Sequence, residues 1–390
     1  MIEDKRKIIK REDYDVIVVG GGIAGVAAAV ASARKGTSTF LLEKSVNLGG
    51  LATNGLISWY EPLCDGEGTQ MIYGIAEELI KLCGKYSFEN LPEKWGGDGH
   101  NKPRNERYST LFSPTVFSAA LDTYVTDNGV TLRFDTLATY PVMNNNICEG
   151  VIVESCNGRE FFGAKTVIDA TGDATIMHRA GVPTVIGKNY MTYVSHYCDI
   201  EAAEKLCNDG DFSSFRKWMN TGSDMFGNGH PQGLDLLTGE TAEEITSYMV
   251  SGKKSLLKKI EQLDKNSFDV MTLPFMPQFR TIRRIIGKTD FNAVDGETYT
   301  DSIGNCGDFR PNGKGKHYQI PFSSMYNENF PNIIAAGRII SSPQGDGWEV
   351  ARVIPTCALT GEAAGNAAAE ASLTNKKIMD IDIEKIKVNA

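Results

Sequence analysis

Hydrophobic and polar positions follow two rhythms along this chain, and the sharpest change between them comes early. In "YDVIVVGGGIAGVAAAVASARKGTSTFLLEKS" a β-branched run, Val16 to Val19, ends directly in glycine, the mark of a buried parallel strand. An almost unbroken Ala, Val and Ser stretch follows and stops at Arg34-Lys35-Gly36, which predicts a helix with its C-terminal stop. A second strand is expected from Thr37 to Leu42. Two more strand-to-glycine edges are expected, Thr166–Asp169 before Ala170-Thr171-Gly172, and Asn332–Ser341 around Gly337.

Between these edges the rhythm is shorter. Pro114 to Asn128 predicts a helix, followed by strands at Val130–Phe134, Thr139–Met143, Gly150–Ser155 and Phe161–Gly163, with turns at 144–146 and 157–159. These strands suggest a β-ribbon excursion. Residues 199–266 are polar and helical in pattern; Thr241 and Glu244 form a capping box, and Ile245, Met249, Leu256, Ile260 and Leu263 share one face. The lysines there are expected to form a solvated face. The stretch "GDGWEVARVIPTCALTGEAAGNAAA" places Pro355 in the first turn of a small-residue helix. Gly361, Ala364 and Ala368 would let that helix pack closely on the first helix or the sheet, with Cys357 as filler.

Composition narrows the reading. A chain of 390 residues favours two domains. Its net charge of -9 argues against a nucleic-acid partner, which requires a basic face. No apolar run reaches the roughly 18 to 20 residues that span a bilayer, and the charged N-terminus lacks a signal-like core, so no membrane role and a cytoplasmic location are expected. The eight cysteines form no C-x-x-C pair, so neither a metal site nor a dithiol centre is expected.

The chemistry concentrates at the glycine edges. Gly20, Gly22 and Gly25 satisfy G-x-G-x-x-G between strand and helix, so backbone at Gly22, Ile23 and Ala24 can approach a diphosphate at a helix N-terminus. Glu43, beside Lys44, lies 23 residues after Gly20 at the end of the second strand, where a carboxylate binds ribose hydroxyls. A second glycine pair, Gly49-Gly50-Leu51-Ala52-Thr53, suits a cofactor that continues past the diphosphate, as FAD does. Ala170-Thr171-Gly172, Gly337-Arg338 and Pro355-Thr356 complete the expected cofactor wall. No second G-x-G-x-x-G follows a strand, so a built-in pyridine-nucleotide domain is not expected and an external electron donor or acceptor is.

The order of "LGGLATNG", "GIAEEL", "AKTVIDATGDA", "RRIIG", "YQIPFSSM", "NIIAAGR" and "RVIPTCALTGEAAG" resembles that of FAD-dependent oxidoreductases of the glutathione-reductase-like flavoprotein superfamily. The resemblance covers nearly the whole chain and implies bound FAD and redox chemistry at its isoalloxazine ring. Two departures stand out. Many relatives carry Gly-Asp where this chain has Gly337-Arg338, and Asp-x-His where it has Asp308-Phe309-Arg310 with His317 set apart.

The fold expected is α/β: a Rossmann-like FAD-binding domain, a parallel sheet with a β-ribbon excursion, plus a mixed α+β substrate domain. The first would comprise residues 1–60, 105–185 and 330–373, the second 61–104 and 186–329, with a tail at 374–390. Catalytic candidates are Arg280 and Arg284 as an anion clamp, His317 as a proton carrier, and Arg352 beside the last helix. For the arginines of this segment, Arg280, Arg283 and Arg284, facing solvent or salt-bridging the FAD domain is the structural alternative, with one or two expected to point inward; for Arg352 it is an ion pair with Glu349. His196, like His317, is a candidate general acid or base, and Trp348, Trp59, Tyr60 and Tyr193 are candidates for lining the pocket or for the core. The expected activity is hydride transfer between a small, polar or anionic organic substrate and flavin N5. A flavin monooxygenase reduced by external NAD(P)H, or a non-redox flavin-binding protein, stays open, as does a homo-oligomer.

Overall fold

The computed structural model describes residues 7–88, 109–224 and 227–388; His100 and the expected 104/105 boundary lie outside them. Helices α1 (Ile23–Arg34), α2 (Ile75–Tyr86), α3 (Pro114–Asp127), α4 (Thr175–Ala180), α5 (Ile200–Asp209), α6 (Ala242–Ile260), α7 (Asp346–Ala351) and α8 (Ile354–Thr374) surround a seven-stranded sheet and several smaller ones. Among the described residues no helix is long and apolar enough to cross a membrane.

The large sheet is parallel where the sequence is apolar. Val19 pairs with Leu42 on one side and Asp169 on the other, and Asp169 pairs with Ala335, so three strand-to-glycine edges end at one level. The first strand is longer than its apolar half, running from Ile9 to Val19. Its charged half lies beside the ribbon, where Arg11 and Arg133 grip the buried carboxylate of Glu160 at 2.6 and 2.7 Å. The ribbon is also organised differently from the expectation. Phe161–Gly163 and Thr166–Asp169 belong to one 12-residue strand, Gly158–Asp169, whose first half pairs antiparallel with Ile147–Ser155 and whose second half pairs parallel with Ile333–Ala335. Thr131–Arg133 leaves the ribbon and extends the parallel edge beside Thr39–Leu42.

The core differs from the expected division into domains. Leu63, Ile72, Ile75, Leu79 and Ile80 pack into the large core, as do Ile303, Ile320, Phe322 and Met325, and from the tail Ile378, Ile381 and Ile386. A separate small core holds Met191, Tyr193, Met219, Leu237, Tyr248, Leu256, Phe279 and Ile282 around the sheet of Thr192–Asp199, Lys217–Gly222 and Phe268–Thr272. Apolar residues at 60–83 and 285–330 thus serve the cofactor side, because they cover α8 and the sheet end rather than each other. Within 199–266, Thr241 caps α6 by accepting from the Glu244 N–H at 3.1 Å. Glu244 reaches instead to Thr238 and Gly239, so the box closes on the preceding loop. Leu263 lies past the helix and is exposed, while Tyr248 and Gly252 complete the buried face.

Helix α8 lies directly on α1. A Cβ at Gly361 would sit 2.2 Å from the Ala24 carbonyl oxygen, and one at Gly365 would sit 2.3 Å from that of Ala28. Gly361→Ala therefore must push the helices apart, at a cost of about 1–3 kcal/mol, and a urea midpoint should fall accordingly. On the other face of α8, Glu362 accepts the Ile75 N–H at 2.7 Å at the start of α2, with Glu78 and Arg34 nearby. Burial pushes its carboxyl up to about 7, so the fold favours the protonated form. That stability is full below the unfolded carboxyl value and is lost as pH rises through 7. Glu362→Gln keeps an acceptor and no charge; its unfolding free energy should match the parent at pH 5 and exceed it by about 1–3 kcal/mol at pH 8.

Candidate functional site

The three glycines of the first loop do three different jobs. Gly20 has φ +101°, and a Cβ there would lie 2.6 Å from the Ala170 carbonyl oxygen, so the turn must pass close to the neighbouring edge. A Cβ on Gly25 would meet the Gly20 carbonyl oxygen at 1.8 Å, which seats α1 on the strand end. Around Gly22 no atom lies within 4 Å of a built Cβ: the backbone there borders open space. Helix α1 begins at this point with no side-chain cap and no acid in its first turn, leaving its N–H groups to an outside anion.

Glu43 binds backbone. Its two oxygens accept the Gly21 N–H at 2.7 Å and the Ser45 N–H at 2.8 Å, fixing the first loop to the second strand. The Gly49 N–H donates to Gly21 O at 2.8 Å, which brings the Gly49-Gly50 pair against the first loop. Leu51 is half-buried, Ala52 and Thr53 are buried, and Lys44 is exposed. At the next edge the buried Asp169 accepts from Thr171 N and Oγ1 at 3.0 and 2.6 Å and from Met177 N at 2.8 Å, shaping Ala170-Thr171-Gly172 and starting α4. Burial pushes its carboxyl up to about 6. Gly337, at φ +78°, closes the third edge: a Cβ there would be 2.8 Å from Ala24 Cβ and 3.7 Å from Cys357 Sγ.

The expected cofactor residues therefore meet at the carboxyl end of the sheet, where α8 also begins. Pro355 and Thr356 are buried in its first turn, which like that of α1 has no side-chain cap and no acid. Two long helices aim uncapped positive ends at one region, and this fits a dianionic dinucleotide. Cys357 is a neutral thiol, its pKa pushed up to about 11 by burial.

The arginines part company. Arg284 pairs with Asp290 at 3.5 Å and Arg283 with Glu240 at 2.6 Å, so neither faces the cofactor edge freely. Arg280 is half-buried; its backbone N–H donates to Asn189 Oδ1 at 2.9 Å, while among the described residues its guanidinium makes no hydrogen bond or ion pair. Burial first, and then the charge of Arg352, hold its pKa below the ordinary guanidinium value. Arg352 pairs with Glu349 and lies 4.8 Å from the Trp348 ring centre and 5.9 Å from that of Phe309. Arg338 donates to the carbonyls of Gly172 at 2.8 Å and Phe279 at 3.0 Å.

His317 is exposed on its strand, away from any buried polar group of the site. His196 is fully buried instead. Its Nε2 lies 3.0 Å from Leu56 O, and since a carbonyl only accepts, Nε2 carries the proton. Nδ1 is then a bare acceptor, buried and without a partner among the described residues. Burial first, and then the nearby Arg216 charge, lower this imidazole to about 4, so it is neutral at physiological pH. Sequence reasoning missed Arg216 and Gln278. Gln278 bridges the two cores by donating to Gly55 O at 2.7 Å and Val194 O at 2.9 Å and accepting Val194 N–H at 2.8 Å. No local signal marks a residue whose partners lie that far away in the chain. Tyr60 and Tyr193 are core residues, and Trp348 is buried against Arg352.

Because Gly22 has allowed extended backbone (φ -65°, ψ 177°) and borders only open space, Gly22→Ala should leave the FAD-free protein within about 1 kcal/mol of the parent. The same methyl should weaken FAD binding tenfold or more, about 1.4 kcal/mol, in a fluorescence titration of the apoprotein.

The family model for FAD dependent oxidoreductases matches residues 15–194 and 218–389. A digeranylgeranylglycerophospholipid reductase of Methanoculleus marisnigri is 24% identical over 204 residues, 48% of this chain and 46% of that protein. A tRNA uridine 5-carboxymethylaminomethyl modification enzyme of Treponema denticola is 31% identical over 168 residues, 41% of this chain and 26% of that protein. The chain thus matches less than half the length of either relative. Among solved structures, p-nitrophenol 4-monooxygenase of Pseudomonas putida superposes with a TM-score of 0.48 at 10% identity, covering 97% of this chain and 83% of that one. This chain belongs to the FAD dependent oxidoreductase family, and FAD is its cofactor.

Proposed function

We propose that the chain is a dehydrogenase or reductase that moves a hydride between a carbon of a small, polar or anionic organic substrate and flavin N5. The observation that carries this reading is the convergence of three strand-to-glycine edges and two uncapped helix N-termini at one end of the sheet. The same order of edges supports a place in the glutathione-reductase-like superfamily. FAD, when bound, supplies the two-electron chemistry.

The protein's part is to hold and to position. The first turns of α1 and α8 offer N–H groups to the cofactor's negative groups, Gly22 and Gly50 allow close backbone approach, and Glu43 keeps the loop shaped. The small core around residues 191–282 acts as the substrate domain, joined to the cofactor loops through Gln278 and His196. Proton handling falls to His196 rather than His317. Its Nδ1 lone pair has no partner among the described residues, and this reading gives it the proton of a substrate hydroxyl or amine to take or return. Electrons leave or arrive through an external partner.

The purified yellow protein should be bleached, without oxygen, by one member of a panel of metabolites in a stoichiometric two-electron reaction. Bleaching by NAD(P)H alone, with oxygen consumed only when an organic substrate is present, would make it a monooxygenase. A flavin that no donor, including dithionite, reduces reversibly would end the redox reading.

A further inference from the structure

Among the described residues, one of three guanidiniums between the two cores has a carboxylate in contact. Arg352 acts electrically on both Arg280 and Arg338, lowering the proton affinity of each. Among the described residues a single carboxylate, Glu349, stands at ion-pair distance from any of the three, and it belongs to Arg352. Asp224 also acts on Arg280 and Asp173 on Arg338, but neither stands at ion-pair distance, so two of the three guanidiniums have no carboxylate in contact among the described residues. Arg338 is held by two carbonyls, and the second of them, Phe279 O, directly precedes Arg280 in the chain, so Arg338 fixes the base from which Arg280 projects.

Around Arg352 the unmet groups include donors: Arg352 Nε and Trp348 Nε1 are buried with no partner among the described residues, and both can only donate. Among the described residues the Arg280 guanidinium donates to nothing. A hydroxyl or amine would meet only part of this demand, and neither would neutralise the charge. A group made only of acceptors and carrying negative charge meets both.

We propose that Arg280 and Arg352, with Trp348 beside them and Arg338 behind, form the seat for a carboxylate of the substrate. The proposal rests on the reading of a substrate bound over the flavin and specifies its class: a small carboxylic acid whose reacting carbon lies beyond its carboxyl group. Carboxylate is favoured over phosphate because Trp348 and Phe309 line the cation with flat apolar rings, which suit a flat monoanion. The Arg338 charge is then left toward Gly172 and Gly337, the cofactor side.

The test uses the FAD-loaded protein and sodium acetate, sodium benzoate, inorganic phosphate and chloride, each at one fixed ionic strength. Acetate and benzoate should saturably perturb the visible flavin spectrum and quench tryptophan fluorescence, whereas chloride should not. Arg280→Met and Arg352→Met should each weaken benzoate at least tenfold with FAD content retained, Arg280→Lys should fall between, and Arg284→Met should bind as the parent does. The proposal is overturned if no carboxylate saturates the signal, if phosphate binds as tightly, or if Arg280→Met and Arg280→Lys, both folded by their melting curves, bind like the parent. Carboxylate binding by a protein whose flavin no metabolite reduces would keep the seat and sink the hydride-transfer reading. Reduction by an uncharged substrate that benzoate does not inhibit would do the reverse.

Discussion

The site depends on how closely α8 can lie on α1. The two helices touch through backbone: the hydrogen of Gly361 faces the Ala24 carbonyl, that of Gly365 faces the Ala28 carbonyl, and Ser32 Oγ donates to Gly365 O at 3.0 Å. Anything wider would move the start of α8 away from the end of the sheet. Since α1 is itself pinned there by Gly25 against Gly20, the glycine contacts fix two helix N-termini relative to three strand ends at once. The small-residue composition of both helices is a geometric requirement, and it concentrates two positive helix ends where a dinucleotide must lie.

Around that frame the charged side chains divide by sign. The carboxylates at the strand ends are turned inward onto backbone: Glu43 onto Gly21 and Ser45, Asp169 onto Thr171 and Met177. They shape loops and leave little negative charge facing outward. The guanidiniums take the complementary part. Arg338 binds carbonyls, Arg352 pairs with Glu349, and among the described residues the Arg280 guanidinium has no hydrogen bond or ion pair. Positive groups left at this edge suit the anionic FAD and, under the proposed function, a carboxylate substrate.

Legibility in the sequence followed the range of the interactions. The first strand–loop–helix unit, the acid after the second strand, the Thr241 cap and the small-residue helix were readable because each is decided within a few residues by propensity, glycine conformation or helix period. The ribbon was misdivided because Lys165 interrupts an apolar pattern while the strand runs through it, held by neighbours on both sides. Which core residues 60–83 and 285–330 cover was not legible for the same reason: they are patterned like any amphipathic segment, and pattern does not say what they pack against. Arg280 and Arg284, four residues apart in one basic run, have opposite fates because Asp290 reaches only one of them.

The sequence by itself determined that a parallel sheet would meet a dinucleotide at its glycine edges, since glycine conformation and helix ends are local properties of backbone. Tertiary structure alone decided which arginine stays unpaired, which histidine is buried with a free lone pair, and which loop Gln278 ties to which strand. Those outcomes depend on desolvation and on partners many residues away, and both exist only once the two cores have closed on each other.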